Sequence, residues 1–271
     1  MKNYILAAAC LVLAGLTACS KEEKPPKPTT GTTPQFLLKT IEYQNSGTKA
    51  ELTYNADSTL KQIAYTNQQA AAAIYYKYDQ KRVIEGGYTN SIYVSLFTYN
   101  GAGKVTKIFT QTQGNPTNGY TMEYSYNIKG EVVSQRYFQN NEAGSQLKAF
   151  SDYTYNAQGL LSKVITTNGN NKLTYNIEAY SDEYAVSPWV FVPMSLTEFY
   201  PIYNYPVLSS MKRLPAKITR LQQLNGGTVK TERIDQQKFE ITDKKINKLI
   251  TLVDYPEHPE LHAEDTAVFK Y

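Results

Sequence analysis

The chain has 271 residues, with 28 Lys and Arg against 24 Asp and Glu, a formal charge of +4. That balance excludes an electrostatic nucleic-acid binder, which concentrates basic side chains far more strongly. The only cysteines are Cys10 and Cys19, so everything after residue 19 lacks a disulfide, a Cys-ligated metal or a Cys nucleophile.

Met1-Lys2-Asn3 precedes an apolar run from Tyr4 to Leu16. One positive charge, a short hydrophobic stretch and small residues before a cut site read as an export signal. The run is too short to span a bilayer comfortably as a helix. Leu16-Thr17-Ala18-Cys19 resembles the bacterial lipobox, in which cleavage before the cysteine leaves it as the lipid-modified N-terminus. The expected organisation is a signal peptide over 1–18, a lipidated Cys19 opening a linker over 19–35, and a single all-β domain over 36–271. Cleavage removes Lys2 alone among the charged residues and leaves a net charge of +3.

Ser20-Lys21-Glu22-Glu23 resembles the short acidic signal that sends Bacteroidota lipoproteins to the outer leaflet of the outer membrane. It implies a cell-surface location, with a periplasm-facing one as the second choice. Lys24-Pro25-Pro26-Lys27-Pro28 and the Thr-rich stretch to Pro34 are extended and semi-rigid by composition, a spacer between membrane and domain.

From Tyr43 onward the chain repeats one pattern. Tyr54-Asn55, Tyr99-Asn100, Tyr126-Asn127 and Tyr155-Asn156 are each followed by a tight polar stretch and then an aliphatic: Leu60, Val105, Val132 and Leu161. Three of the four place Gly103, Gly130 or Gly159 three residues after the Asn. Tyr78 to Val83 and Ile241 to Ile246 are diverged copies, one residue shorter. Asn opens a type I turn by bonding the backbone two residues on, and Gly supplies the left-handed residue that closes it. The flanks alternate with period two: Tyr120, Met122, Tyr124 and Tyr126 against Thr121, Glu123 and Ser125. That is a strand period, and the 24 tyrosines and 9 phenylalanines against one tryptophan suit a pleated, half-buried surface.

These residues resemble the YD-repeat pattern of tyrosine-rich wall and toxin-shell proteins. The lipobox, the polar linker, the Tyr-Asn-x-x-Gly hairpins and the late proline- and aromatic-rich insert, in that order, more closely resemble a group of Bacteroidota lipoproteins assigned to a domain of unknown function with a porin-like fold. The resemblance covers about residues 36–255. It implies a large curved antiparallel sheet or barrel, and it implies no known activity and no catalytic residues.

Ser187 to Pro215 breaks the hairpin rhythm. It holds Trp189, Phe191, Phe199, Tyr200, Tyr203 and Tyr205, with prolines at 188, 193, 201, 206 and 215. Proline at this density forbids a central strand, and so apolar a segment is not a loose loop in water. The expectation is a cap or plug folded on the open end or concave face of the sheet. Trp189, Phe199, Tyr200, Tyr203 and Tyr205 are then candidate ligand contacts. Gly226-Gly227 marks one further hairpin.

Chemistry is sparse. Glu257 to Asp265 contains His258 and His262, four apart, but Pro259 sits between them and no third ligand follows at a usual spacing. It reads as a solvated acidic loop, so no metal site is assigned. No nucleophile elbow or phosphate-binding glycine loop is present, and no catalytic residue or cofactor is expected. Glu123, Asp152 and Glu178 fall on polar strand faces. The tyrosine stripe reads either as core packing or as a platform for sugar or peptide, since aromatic faces stack on flat ligand surfaces. The reading is a non-enzymatic, lipid-anchored envelope protein that binds a glycan, a peptide or a partner protein. The alternatives are a structural scaffold and, third, a hydrolase with converging carboxylates.

Overall fold

The computed structural model describes residues 36–66, 73–191, Leu196, Phe199 and 201–271; the signal, Cys19, the linker and Tyr200 lie outside them. The alternating segments form sixteen strands: β1 (Thr40–Tyr43), β2 (Lys49–Tyr54), β3 (Leu60–Thr66), β4 (Ala73–Asp79), β5 (Arg82–Tyr88), β6 (Tyr93–Tyr99), β7 (Val105–Thr112), β8 (Asn115–Tyr126), β9 (Val132–Asn141), β10 (Gly144–Tyr155), β11 (Leu161–Asn168), β12 (Asn171–Tyr180), β13 (Pro215–Gln223), β14 (Val229–Thr242), β15 (Lys245–Asp254) and β16 (Ala263–Lys270). Each pairs antiparallel with its sequence neighbours, and β1 pairs with β16 to close the barrel, Ile41 opposite Phe269. Closure leaves no unpaired edge, which an open sheet of this length would have to protect.

The repeats are the turns at one end, here called the turn end. Asn100, Asn127 and Asn156 each accept backbone N–H bonds from the residues two and four positions on, at 2.9–3.1 Å. Gly103, Gly130 and Gly159 take φ of +75°, +78° and +74°, and Ser58 takes the same role at +67°. The shorter copies turn through Gln80-Lys81 and Asp243-Lys244, all four at positive φ. That two-residue geometry matches the twist of the flanking strands.

The tyrosine before each turn has a second task. At the turn end, β7 and β8 splay apart, because the connection joining them lies at the opposite end. Tyr126 spans the gap and donates its hydroxyl to the Val105 carbonyl at 2.6 Å. Tyr54, Tyr78, Tyr99, Tyr155 and Tyr271 do the same to Leu38, Leu60, Val83, Val132 and Ile246 at 2.6–3.1 Å, and Tyr180 bonds the Leu161 carbonyl. Six of these seven acceptors belong to the aliphatic residues of the repeat, so its two anchors meet across hairpins. Ile241 occupies the eighth position and has no hydroxyl to give.

Alternation sorts the faces. Ile63, Ile108, Met122, Val164 and Tyr175 point inward and are buried, while Lys107, Glu123 and Lys163 point outward and are exposed. Outer charges pair across strands, Lys77 with Glu85 at 2.8 Å, Lys217 with Glu178 at 2.6 Å and Lys270 with Glu42 at 2.6 Å. Exposed pairs of this kind add little stability each. Eight strands just fill a barrel with side chains, whereas sixteen leave a lumen, so inward side chains alone do not make a core here.

Candidate functional site

The described residues of the insert between β12 and β13 sit inside the lumen. The insert folds as two short 3₁₀ turns, Pro188–Phe191 and Pro201–Asn204, and one turn of helix, α1 (Tyr205–Leu208). Proline opens each 3₁₀ turn, where its missing N–H removes no hydrogen bond. Trp189, Phe191, Leu196, Ile202, Tyr203, Val207 and Leu208 are buried. The segment touches several walls at once: Trp189 lies against Tyr76 of β4 and Phe97 of β6, with ring centroids 4.4 and 5.8 Å away, and Phe191 reaches Phe269 of β16. Gly86 of β5 leaves the space that Ile202 enters, since a Cβ there would stand 3.2 Å from the Ile202 Cδ1. The expected cap is therefore a plug inside the barrel.

Four of the five candidate contacts are among the described residues, and they separate into two sets; Tyr200 lies outside them. Trp189 and Tyr205 stack on each other at 3.6 Å with rings 9° from parallel, on the side of the plug toward the turn end. Trp189 is 4% exposed, and burial pushes the Tyr205 hydroxyl up to about 12. This pair packs together, with Trp189 buried and Tyr205 half-buried. Phe199 and Tyr203 face the other half of the lumen. Tyr203 donates to Thr110 Oγ1 at 2.8 Å and accepts at its carbonyl from Tyr124 at 2.8 Å. Thr110 is tied in turn to Ser95 at 2.7 Å, which fixes Tyr203 as a floor.

Over that floor lies a cavity of about 370 Å³ lined by Tyr93, Thr110, Tyr120, Tyr137 and Tyr203. It faces the end of the barrel opposite the repeat turns, here called the open end. Tyr120 and Tyr137 stack at 5.6 Å, and Phe199 stacks on Tyr137 at 4.9 Å, a column of three rings. Burial, with the neighbouring Tyr120 adding to it, pushes the Tyr137 hydroxyl up to about 12, so it stays a neutral donor at any physiological pH. Tyr93, 41% exposed, stands at the mouth. Beyond Phe199 a second cavity of about 240 Å³ is lined by Ala149, Thr166, Asn168, Leu173 and Gln222 among others.

The wall built by β13 and β14 is charged. Arg220 grips Glu232 through two bonds of 2.7 and 2.5 Å, and its guanidinium lies 6.0 Å from the ring centroid of inward-facing Tyr175. Arg233 grips Asp235 at 2.8 and 2.5 Å. Both pairs close on themselves, which lets charge sit in the lumen. The lumen thus has an aromatic side and a polar side.

The sequence pattern marked Tyr120 as inward-facing and left Tyr93 and Tyr137 unmarked. Strand parity was the signal for both, because each sits in phase with buried neighbours. Thr110 carried no signal. His262 Nδ1 lies 2.6 Å from Asp254 and His258 Nδ1 lies 3.3 Å from Glu260, both exposed in the loop before β16. Among the described residues no group of three metal-ligating side chains converges.

The fold is similar to that of a porin-like protein from Bacteroides uniformis, with a TM-score of 0.55 and 12% identity over 88% of this chain and 98% of that one. A porin-like protein from Bacteroides vulgatus is similar at a TM-score of 0.44 and 11% identity, covering 87% and 99%. At such identities the likeness is one of fold. No sequence-family model matches the chain, and no curated protein sequence matches it.

Proposed function

We propose that the chain is a non-enzymatic binding protein of the cell envelope, anchored to a membrane through lipid at Cys19, whose binding site is the tyrosine-lined cavity above the plug. The carrying observation is that cavity, about 370 Å³ with Tyr93, Tyr120, Tyr137 and Tyr203 on its walls. Its size falls in the roughly 300–1,000 Å³ range of small-molecule sites. Ring faces with hydroxyl edges suit a saccharide, whose apolar C–H face stacks while its hydroxyls bond. A glycan is the ligand class this favours over a peptide.

The outer surface supports a barrel standing in water. Lys107, Glu123 and Arg136 align across β7, β8 and β9 on the outward face, and charge at mid-strand is unfavourable against lipid. The Leu16-Thr17-Ala18-Cys19 box, the acidic tetrapeptide after it and the porin-like fold support an outer-membrane lipoprotein facing outward. Two experiments test this reading. Titration calorimetry against a panel of oligosaccharides should give saturable binding that Tyr120→Ala with Tyr137→Ala abolishes; heat unaffected by those changes overturns the site. Palmitate labelling of the full chain should disappear with Cys19→Ala; label that persists overturns the anchor.

A further inference from the structure

The two ends of the barrel differ in charge. The connections at the turn end carry Lys81, Lys104, Lys129, Lys212, Arg213 and Lys244, and the chain enters β1 there through Lys39. No Lys or Arg falls in any connection at the open end, whereas Glu142, Glu257 and Glu260 do. The turn-end connections also carry Asp57, Glu131, Asp182, Glu183 and Asp243 among the described residues, of which Glu183 pairs with Lys244 at 3.3 Å and Asp57 accepts from Thr59 at 2.6 Å.

Three of the basic residues converge. Lys129, Lys212 and Arg213 line a groove of about 390 Å³ where the plug segment leaves the barrel, with Tyr155, Tyr180 and Met211 as its apolar side. All three are exposed, and none makes an ion pair with a described residue. Glu131, the one carboxylate among the groove's lining residues, accepts from Asn127 Nδ2 at 2.7 Å. Three cations against that one carboxylate leave the groove with a net positive charge, and one of them is the planar fork that matches phosphate oxygens.

We propose that the turn end is a docking face for an anionic phospholipid surface, with the Lys129–Lys212–Arg213 groove taking a phosphate headgroup. Basic side chains near such a surface are each attracted to it, and three make a preference on the order of a hundredfold over a neutral bilayer. Residues 36–39 leave from the same end as the groove, so on the function proposed above the chain that carries the lipid joins the domain at this end. Tethering also makes the contact intramolecular, at an effective concentration on the order of millimolar, so a weak site suffices.

The test removes the tether. The chain from residue 19 with Cys19→Ala is sedimented with vesicles of phosphatidylcholine alone and of phosphatidylcholine containing one third phosphatidylglycerol. The expected result is a strong preference for the anionic vesicles that fades with added salt, as screening requires. Lys129→Gln with Lys212→Gln and Arg213→Gln should bring binding to the neutral-vesicle level. Lys49→Gln with Lys148→Gln and Lys230→Gln, an equal charge change toward the open end, should leave it in place. Equal partition to both vesicles, or equal loss in the two triple variants, overturns the docking face, the second by reducing it to net charge. Binding to soluble heparin without binding to vesicles overturns it in favour of a soluble polyanion. A chain that ignores vesicles yet binds oligosaccharide refutes this face alone and leaves the cavity reading standing.

Discussion

Tyr126→Phe removes one oxygen and nothing else. In the protein that oxygen gives its hydrogen to the Val105 carbonyl at 2.6 Å, across the gap where β7 and β8 splay apart. Val105 is 4% exposed, so water does not readily replace the lost donor. A net hydrogen bond contributes about 1 kcal/mol, and stranding a buried acceptor raises the loss to about 1–3 kcal/mol; 1–2 kcal/mol is the expected cost here. In a domain this size each kcal/mol moves the unfolding temperature by about 2–4 °C, so the drop should be roughly 2–8 °C. The control is Tyr120→Phe. Tyr120 stacks on Tyr137, and its hydroxyl has no hydrogen-bond partner among the described residues, so the ring contact survives and stability should hold. Calorimetric unfolding of the two variants side by side decides the matter. Equal midpoints would refute the argument that the repeat tyrosine is selected for its hydroxyl rather than its ring.

The same hydroxyls make the fold sensitive to alkali. Burial pushes Tyr54, Tyr180 and Tyr271 up to about 12 from the ordinary 10.0, so between about pH 10 and pH 12 the unfolded chain has released protons that the native one still holds, and stability falls as pH rises through that window; a urea midpoint that stays flat there contradicts it. Gly159→Val, at φ +74°, should cost roughly 1–2 kcal/mol, whereas Gly101→Val, at a position of the equivalent β6–β7 turn that lacks positive φ and has open space around it, should cost clearly less in a denaturant titration. Trp189 fluorescence should be blue-shifted and shielded from quenchers in the native state and move red on denaturation, because the indole is 4% exposed between Tyr76 and Tyr205; native emission at the solvent-exposed wavelength would remove the plug.

The barrel was legible where local rules act alone. Asn100, Asn127 and Asn156 cap their turns through bonds within four residues, and Gly103, Gly130 and Gly159 hold the left-handed position. Those interactions are written in consecutive residues, so the sequence displays them. The hydroxyl link from Tyr126 spans 21 residues to Val105 and becomes visible only once the register of β7 on β8 is known. Closure through Ile41 and Phe269 is equally remote. The cavity was half legible for the same reason. Proline density announced that residues 187–215 could not be sheet. Which rings of that segment face packing and which face the lumen depends on Thr110 and Tyr124, 93 and 79 residues from Tyr203. Trp189, the most conspicuous residue of the insert by composition, lies in the packed set, while the unremarkable Tyr137 lies at the centre of the aromatic column.

Strand number explains why a segment so unlike the rest is built into this chain. Sixteen strands enclose more space than their inward side chains fill, and an empty apolar lumen forfeits the contacts that stabilise a core. The insert supplies them by placing Trp189, Phe191, Ile202, Tyr203, Val207 and Leu208 in that space. It enters from the turn end, where the splayed hairpins are pinned by tyrosine hydroxyls, and its inner surface ends at Tyr203 and Phe199. What remains among the described residues includes the tyrosine-lined cavity and the second cavity beyond Phe199. Clearing the lumen into a channel would break the Tyr203–Thr110 and Tyr124–Tyr203 bonds and the Trp189–Tyr205 stack together, and would expose at least six buried apolar side chains at about 1.5–3 kcal/mol each. That cost is comparable to the whole stability of a typical domain. Passage through the barrel is therefore the function this architecture opposes most strongly, and the binding proposed above at the tyrosine-lined cavity is compatible with the plug staying in place.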